Sequence, residues 1–261
     1  MTLPSVLIVT PIYDKKDYCL DKHVAHVNAI NYPNCKQIFI DNTEGSDYTN
    51  KLKSKGLEVY HVNRGNNSRE AICNSMNYAR EYMLEHKFSY MLTIESDLFP
   101  DPELINRLLS HNKSVVGSYY LLGFKQDTIK IQNEVRAYHN KEITEQEYKN
   151  NVKGLNPEIP CLFIIENTNQ VFQKTRILNI TEGLAVFNTG LRKIHGCGLG
   201  ATMVKQDIIQ RFPFWCDDRF SNKHHDVYFY MDLHNAGIPV YVDTSILIPH
   251  QPSKWEDVKD M

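Results

Sequence analysis

Four short runs of aliphatic, β-branched and aromatic residues mark the first part of the chain: Val6 to Thr10, Gln37 to Asp41, Leu57 to His61 and Tyr90 to Glu95. Each is too short, and too rich in side chains that crowd a helix, to be anything but a strand. Helical patterns separate them at Tyr18 to Ala29, Thr49 to Lys55 and Arg69 to Glu85, with Ser68 as the expected N-cap of the last. Strands alternating with helices predict right-handed crossovers and an α/β fold, a mostly parallel central sheet flanked by helices. In such sheets ligands bind beyond the carboxyl ends of the strands, where helix N-termini and loop amides converge. Three of the four strands end in polar loops: TPIYD, DNTEG and ESD.

The pattern changes from Lys125 to about Thr181. A highly charged stretch there precedes two strand-like runs, CLFII and VFQKTRIL, and reads as an insertion with a helical excursion and a hairpin, either shaping an acceptor site or decorating the surface. Compact patterning returns in the last third: a flexible glycine loop at Gly196 to Gly200, helices at Lys205 to Arg211 and Asp226 to Ala236, a strand at Val240 to Val242, and Ile246 to Ile248 leading into His250.

Composition narrows the function classes. With 42% hydrophobic and 23% charged residues, the chain is an ordered globular protein and not a disordered one. A formal net charge of −2 supplies no global positive field to recruit nucleic acid or anionic lipid. No run is long enough to span a bilayer, and the N-terminus lacks the basic segment and apolar core of a signal peptide. The six cysteines form no CxxC pair, which fits reduced thiols, so a cytoplasmic protein without an integral membrane segment is expected.

Candidate chemistry starts at ESD. Glu95 and Asp97 flank Ser96, and on a strand residues two apart point the same way, which suits carboxylates sharing one divalent ion; an acidic turn that is merely solvated has the same sequence. Asp226 opens a helix pattern, a position where Asp is favoured as an N-cap. A lone histidine such as His250, after a β-like run and a proline, is more often structural. The stripe Tyr228, Met231 and Leu233 has core spacing, whereas Trp215 remains open as an acceptor platform.

The segments YPNCKQIFIDNTEGSDYTNKL, VYHVNRGNNSREAICNSMNYAR and YMLTIESDLFPDPELINRLL resemble, in order and spacing, the family 2 type of GT-A glycosyltransferase. HGCGLGATMVKQDIIQRFPF is similar to that family's glycine loop, and KHHDVYFYMDLHNAGIPVYVD to its ED-x-D-x-x-x-R-x-x-x-AG segment. The resemblance implies a Rossmann-like GT-A domain over residues 1–261, with a nucleotide-sugar-binding half at 1–117, an unmatched insertion at 118–185 and a smaller acceptor and catalytic half at 186–261.

It also implies roles. Pro11, Tyr13 and Asp41 fall in loops that hold the base and ribose. Arg64 and Arg69 approach the nucleotide, a surface salt bridge being the alternative for Arg69. Glu95, Ser96, Gly198 and Gly200 edge the nucleotide sugar. Asp97 is the direct metal ligand, with Glu95 and His250 assisting. Asp226 is the base, and His225, standing where the family has Glu, lies on the acceptor side. The expected cofactor is Mn²⁺ or Mg²⁺. The expected function is metal-dependent, inverting transfer of a sugar from a nucleotide diphosphate donor, UDP-linked, to a hydroxyl of a polysaccharide, protein, small molecule or modified DNA base. A nucleotidyltransferase of similar fold, or a catalytically silent sugar- or nucleic-acid-binding module, stands as the alternative.

Overall fold

Strand and helix alternate along the chain, in the computed structural model, in the order β1 (Val6–Ile12), a 3-10 turn (Asp14–Cys19), α1 (Leu20–Asn28), β2 (Cys35–Asp41), α2 (Asp47–Ser54), β3 (Val59–His61), α3 (Ser68–Glu85), β4 (Tyr90–Ile94), α4 (Leu104–Ser110) and β5 (Val115–Tyr119). The insertion supplies β6 (Leu121–Leu122), α5 (Lys125–His139), α6 (Glu145–Val152), β7 (Ile159–Pro160), β8 (Leu162–Glu166), β9 (Lys174–Ile177) and α7 (Ile180–Val186). After it come β10 (Leu191–Ile194), β11 (Gly196–Cys197), β12 (Ala201–Lys205), α8 (Gln206–Arg211), α9 (His225–Asn235) and β13 (Val240–Leu247). The structure describes residues 3–166, 174–217, 219 and 224–252.

An eight-stranded sheet in the order β10-β13-β5-β12-β4-β1-β2-β3 carries the fold. From the pairings, β1 to β5 and β13 run one way, and β10 and β12 run against them. The mostly parallel α/β sheet predicted from the alternation is therefore present. β12 enters it antiparallel between β4 and β5, with Ala201 opposite Ile94. Smaller sheets of β11-β8-β9 and β6-β7 stand beside it. The insertion does fold as two helices followed by the β8–β9 hairpin; residues 171–173 of the second expected strand lie outside the described residues.

The core explains why the first pattern was readable. Val6, Leu7, Ile8 and Val9 are all buried, because a central parallel strand is covered on both faces and needs no polar alternation. Each such side chain contributes about 1.5–3 kcal/mol over an exposed one. Ala71, Met76, Ala79 and Met83 recur at helical spacing on the buried face of α3. Its N-cap is Asn67, one residue before the expected Ser68, because the Asn67 side chain accepts from the amides of both Arg69 and Glu70. The Gly196 to Gly200 stretch, expected as a flexible loop, is buried, and its first two residues pair with β8. Val240 to Ile248 likewise begins as one strand, with an irregularity between Asp243 and Leu247.

Behind the ligand edge, His23 on α1 is fully buried. Its Nδ1–H donates to the Leu98 carbonyl at 3.0 Å, so its Nε2 accepts from the Thr10 hydroxyl at 3.0 Å and the ring is neutral. Burial lowers its pKa from 6.5 to about 4. The unfolded chain therefore takes up a proton at a pH where the folded one does not. The stabilisation is complete above about pH 6.5 and is lost as pH falls toward 4, with an amplitude of ~3 kcal/mol. His23→Asn is expected to flatten the fall in melting temperature between pH 6.5 and 4. An unchanged slope in that variant would assign the acid sensitivity elsewhere.

Candidate active-site cleft

A cleft of about 700 Å³ opens beyond the carboxyl ends of β1, β2 and β4. Pro11, Ile12 and Tyr13 leave β1 along one side, and Asn42 follows β2. Arg64 reaches in from the loop before α3, its guanidinium 5.7 Å from the centre of the Tyr13 ring. Thr93, Glu95, Ser96 and Asp97 form the floor at the end of β4. The opposite wall is built from the insertion, by Leu122, Ile159, Phe163, Arg176 and Ile177, and the N-terminus of α9 closes the rim with His224, His225 and Asp226.

Strand ends separated by long stretches of sequence meet at Asp97. Its Oδ2 accepts from Lys16 Nζ at 2.6 Å and lies 3.2 Å from His250 Nε2. The His250 ring is oriented from behind, since its Nδ1–H donates to the Leu121 carbonyl at 2.7 Å. An antiparallel bridge between Leu98 and His250 brings that segment in, with the Phe99 amide bonded to the Pro249 carbonyl and the Gln251 amide to that of Asp97. Burial alone would raise the Asp97 pKa, but the bonds from His250 and Lys16 outweigh it and hold the carboxyl below its ordinary value. Burial likewise opposes charge on His250, and Asp97 overcomes it, raising the imidazole above its usual value.

Glu95 faces a different neighbourhood. Its Oε2 and the Tyr120 hydroxyl crowd the open face of Gly200. Burial, and then the nearby negative charge of Asp97, raise its pKa above 4.5. Among the described residues no group of three or more His, Cys, Asp or Glu side chains is arranged to hold a metal ion. Asp97 and His250 nevertheless fit a divalent ion. A carboxylate oxygen and an imidazole nitrogen face each other in the cleft, the other ring nitrogen is fixed by a carbonyl, and Mg²⁺ or Mn²⁺ commonly takes few protein ligands and completes its shell with phosphate oxygens and water.

On α9, Asp226 lines the rim and its Oδ1 accepts from the Val227 amide at 2.8 Å. Burial raises its pKa above 3.8. His225 is buried in the same wall, against the Phe214 ring, and its Nδ1 has no partner among the described residues. Burial, then the adjacent His224, lowers its pKa to about 3, so it faces the cleft as a neutral imidazole.

Five expected site residues lie elsewhere. Asp41 is fully buried, with Oδ1 taken by the Thr43 amide at 2.8 Å and Oδ2 by the Thr49 hydroxyl at 2.5 Å; it clamps its own loop, and Asn42 takes the cleft position. Arg69 is buried and donates to the Asp217 carbonyl at 3.0 Å, tying α3 to the loop before α9. Trp215 stacks on Tyr228 at 4.3 Å and donates to Asp232, outside the cleft. Gly198 and Gly200 make room for protein, not ligand. A Cβ on Gly198 would fall 1.8 Å from the Tyr120 hydroxyl and 2.6 Å from Cys161 Sγ, and one on Gly200 would fall 2.7 Å from Glu95 Oε2. Gly198→Ala is therefore expected to cost about 1–3 kcal/mol of unfolding free energy by overpacking. A denaturation midpoint equal to wild type would show that Tyr120 moves aside freely.

Sequence reasoning did not single out Lys16, and it left the insertion open between shaping an acceptor site and decorating the surface without naming its wall residues. Lys16 carries a usable signal, a cation four residues beyond the end of the central strand β1. The wall carries none, because Leu122, Ile159 and Ile177 differ from core residues only in what they leave uncovered.

No family model matches the chain, and no curated protein matches it. Among solved structures, A197 from STIV is similar over 95% of this chain and 86% of its own, at 15% identity and a TM-score of 0.42. A likeness that distant says nothing about activity. Among the described residues, no helix is long and apolar enough to cross a membrane.

Proposed function

We propose that the cleft binds a nucleotide diphosphate sugar and transfers the sugar to an acceptor hydroxyl. The observation that carries this reading is the meeting of Asp97, His250, Lys16 and Asp226, drawn from four distant parts of the chain, around one cleft at the ligand edge of the sheet. Asp97 and His250 would hold a divalent ion, Mn²⁺ or Mg²⁺, and when bound it neutralises charge on the departing diphosphate. Pro11, Tyr13, Asn42 and Arg64 form the side of the cleft that suits the nucleoside, Tyr13 offering a ring face and Arg64 a guanidinium. Asp226 accepts the acceptor's proton as its oxygen attacks the anomeric carbon from the face opposite the diphosphate, which gives inversion. The insertion wall faces this half of the cleft and would select the acceptor.

Screening the pure protein against UDP-, GDP-, ADP- and CMP-linked sugars, with Mn²⁺ or with chelator, tests the proposal. Expected is Mn²⁺-dependent release of nucleotide from one donor, with UDP sugars first. A protein that binds none of these donors and hydrolyses none would end this reading.

A further inference from the structure

Among the described residues, three Lys or Arg side chains line the cleft: Lys16, Arg64 and Arg176. The Arg176 guanidinium is held by Glu182 at 2.7 and 2.8 Å and by Glu166 at 3.1 Å, and Arg64 lies over the Tyr13 ring. Of the three, Lys16 is the one bonded to a carboxylate of the cleft floor. It is also anchored in a way that surface lysines are not. Its amide donates to the Tyr13 carbonyl at 2.9 Å, and the Cys19 thiol lies 3.1 Å from the Lys16 carbonyl and 3.2 Å from that of Ser96, joining the turn after β1 to the turn after β4. The ammonium is therefore placed beside Asp97 by the backbone of two strand ends.

A diphosphate entering this cleft meets three acidic side chains, Glu95, Asp97 and Asp226. An ammonium carries three protons, and among the described residues Asp97 is the single hydrogen-bond acceptor Lys16 uses. We propose that Lys16 is a built-in counter-cation for the diphosphate: its ammonium bridges Asp97 and a phosphate oxygen, so that the cleft holds a diphosphate before any metal ion arrives. The proposal rests on the reading of the cleft as a diphosphate site and adds that the first positive charge met by the ligand belongs to the chain. His250, the other donor to Asp97, has its second nitrogen committed to the Leu121 carbonyl and does not reach outward in the same way.

Calorimetric titration of the full chain with inorganic pyrophosphate in excess EDTA tests this. Wild type is expected to bind saturably. Lys16→Met should bind about tenfold or more weakly, the contribution of one charge-assisted hydrogen bond, while Lys16→Arg keeps the affinity. Asp97→Asn removes the competing charge, leaves the ammonium in place and should bind pyrophosphate several-fold more tightly in EDTA. Wild-type binding that appears only once Mn²⁺ is added would overturn the proposal, as would Lys16→Met binding like wild type or Asp97→Asn binding more weakly. If Lys16→Met does not fold, the Asp97→Asn titration decides by itself. Failure of the sugar-transfer reading is seen separately, as pyrophosphate binding that persists in a protein turning over no nucleotide sugar.

Discussion

Asp97→Asn is expected to fold, to bind nucleotide and to lose turnover by on the order of a thousandfold, the scale of removing one preorganised electrostatic group from a transition state. Asn keeps an oxygen where Oδ2 now meets Lys16 and His250, so packing is preserved. What disappears is the formal charge that, on the proposed reading, would pair with a divalent ion. Loss of the charge-assisted bonds lowers stability by about 1–3 kcal/mol, which thermal unfolding would register as a modest drop and not a collapse. The comparison is made on Mn²⁺-dependent release of nucleotide from the donor that the screen identifies. Turnover by Asp97→Asn at the wild-type rate would remove the ion from the mechanism, and so would wild-type turnover in saturating chelator.

Asp226→Asn separates two roles that the sequence left superimposed. The N-cap of α9 is His224, so Asp226 is not the cap that the sequence allowed; it lies in the first turn and accepts from the Val227 amide, a bond that Asn can also accept. As a base it must be ionised, and Asn never is. The variant is expected to match wild type in stability while transfer falls by about 10²–10⁴-fold, the usual contribution of a positioned general base. Because burial raises the Asp226 pKa, the wild-type rate should fall as the pH drops through a value above the ordinary 3.8, and the residual rate of Asp226→Asn should lack that limb. Transfer undiminished in the variant would reduce Asp226 to a structural residue.

The readable part of this fold is the part that local chemistry dictates. β1, β2 and β4 announce themselves because strands buried on both faces are continuous apolar runs, and α3 because its apolar spacing follows the helical repeat. β5 and β12 went unread. VVGSY runs straight into YLL without a break, and ATMVK is a strand only because β4 and β5 present open edges on either side of it. The same division holds at the site. Pro11, Tyr13, Arg64, Glu95, Ser96, Asp97, His225, Asp226 and His250 all line the cleft. Asp41 and Arg69 do not, because whether a charged group faces a ligand or a neighbouring amide is settled by tertiary packing, which a strand-end or helix-start position does not encode. Gly198 and Gly200 show the same limit. The absence of a Cβ is visible in the sequence, but the Tyr120 hydroxyl and the Glu95 carboxylate that fill the space come from other strands.

The bridge between Leu98 and His250 has a consequence for biosynthesis. Lys16 and Asp97 can meet as soon as β1 and β4 have paired, but His250 lies 153 residues beyond Asp97. A nascent chain that has folded its first strands thus already owns the ammonium–carboxylate pair while Asp97 still lacks its imidazole partner. That partner arrives through a contact across 153 residues, the kind that forms late because its loop must close first. If Asp97 and His250 hold an ion as proposed, a chain cut short before His250 would keep Lys16 beside Asp97 and lack the imidazole.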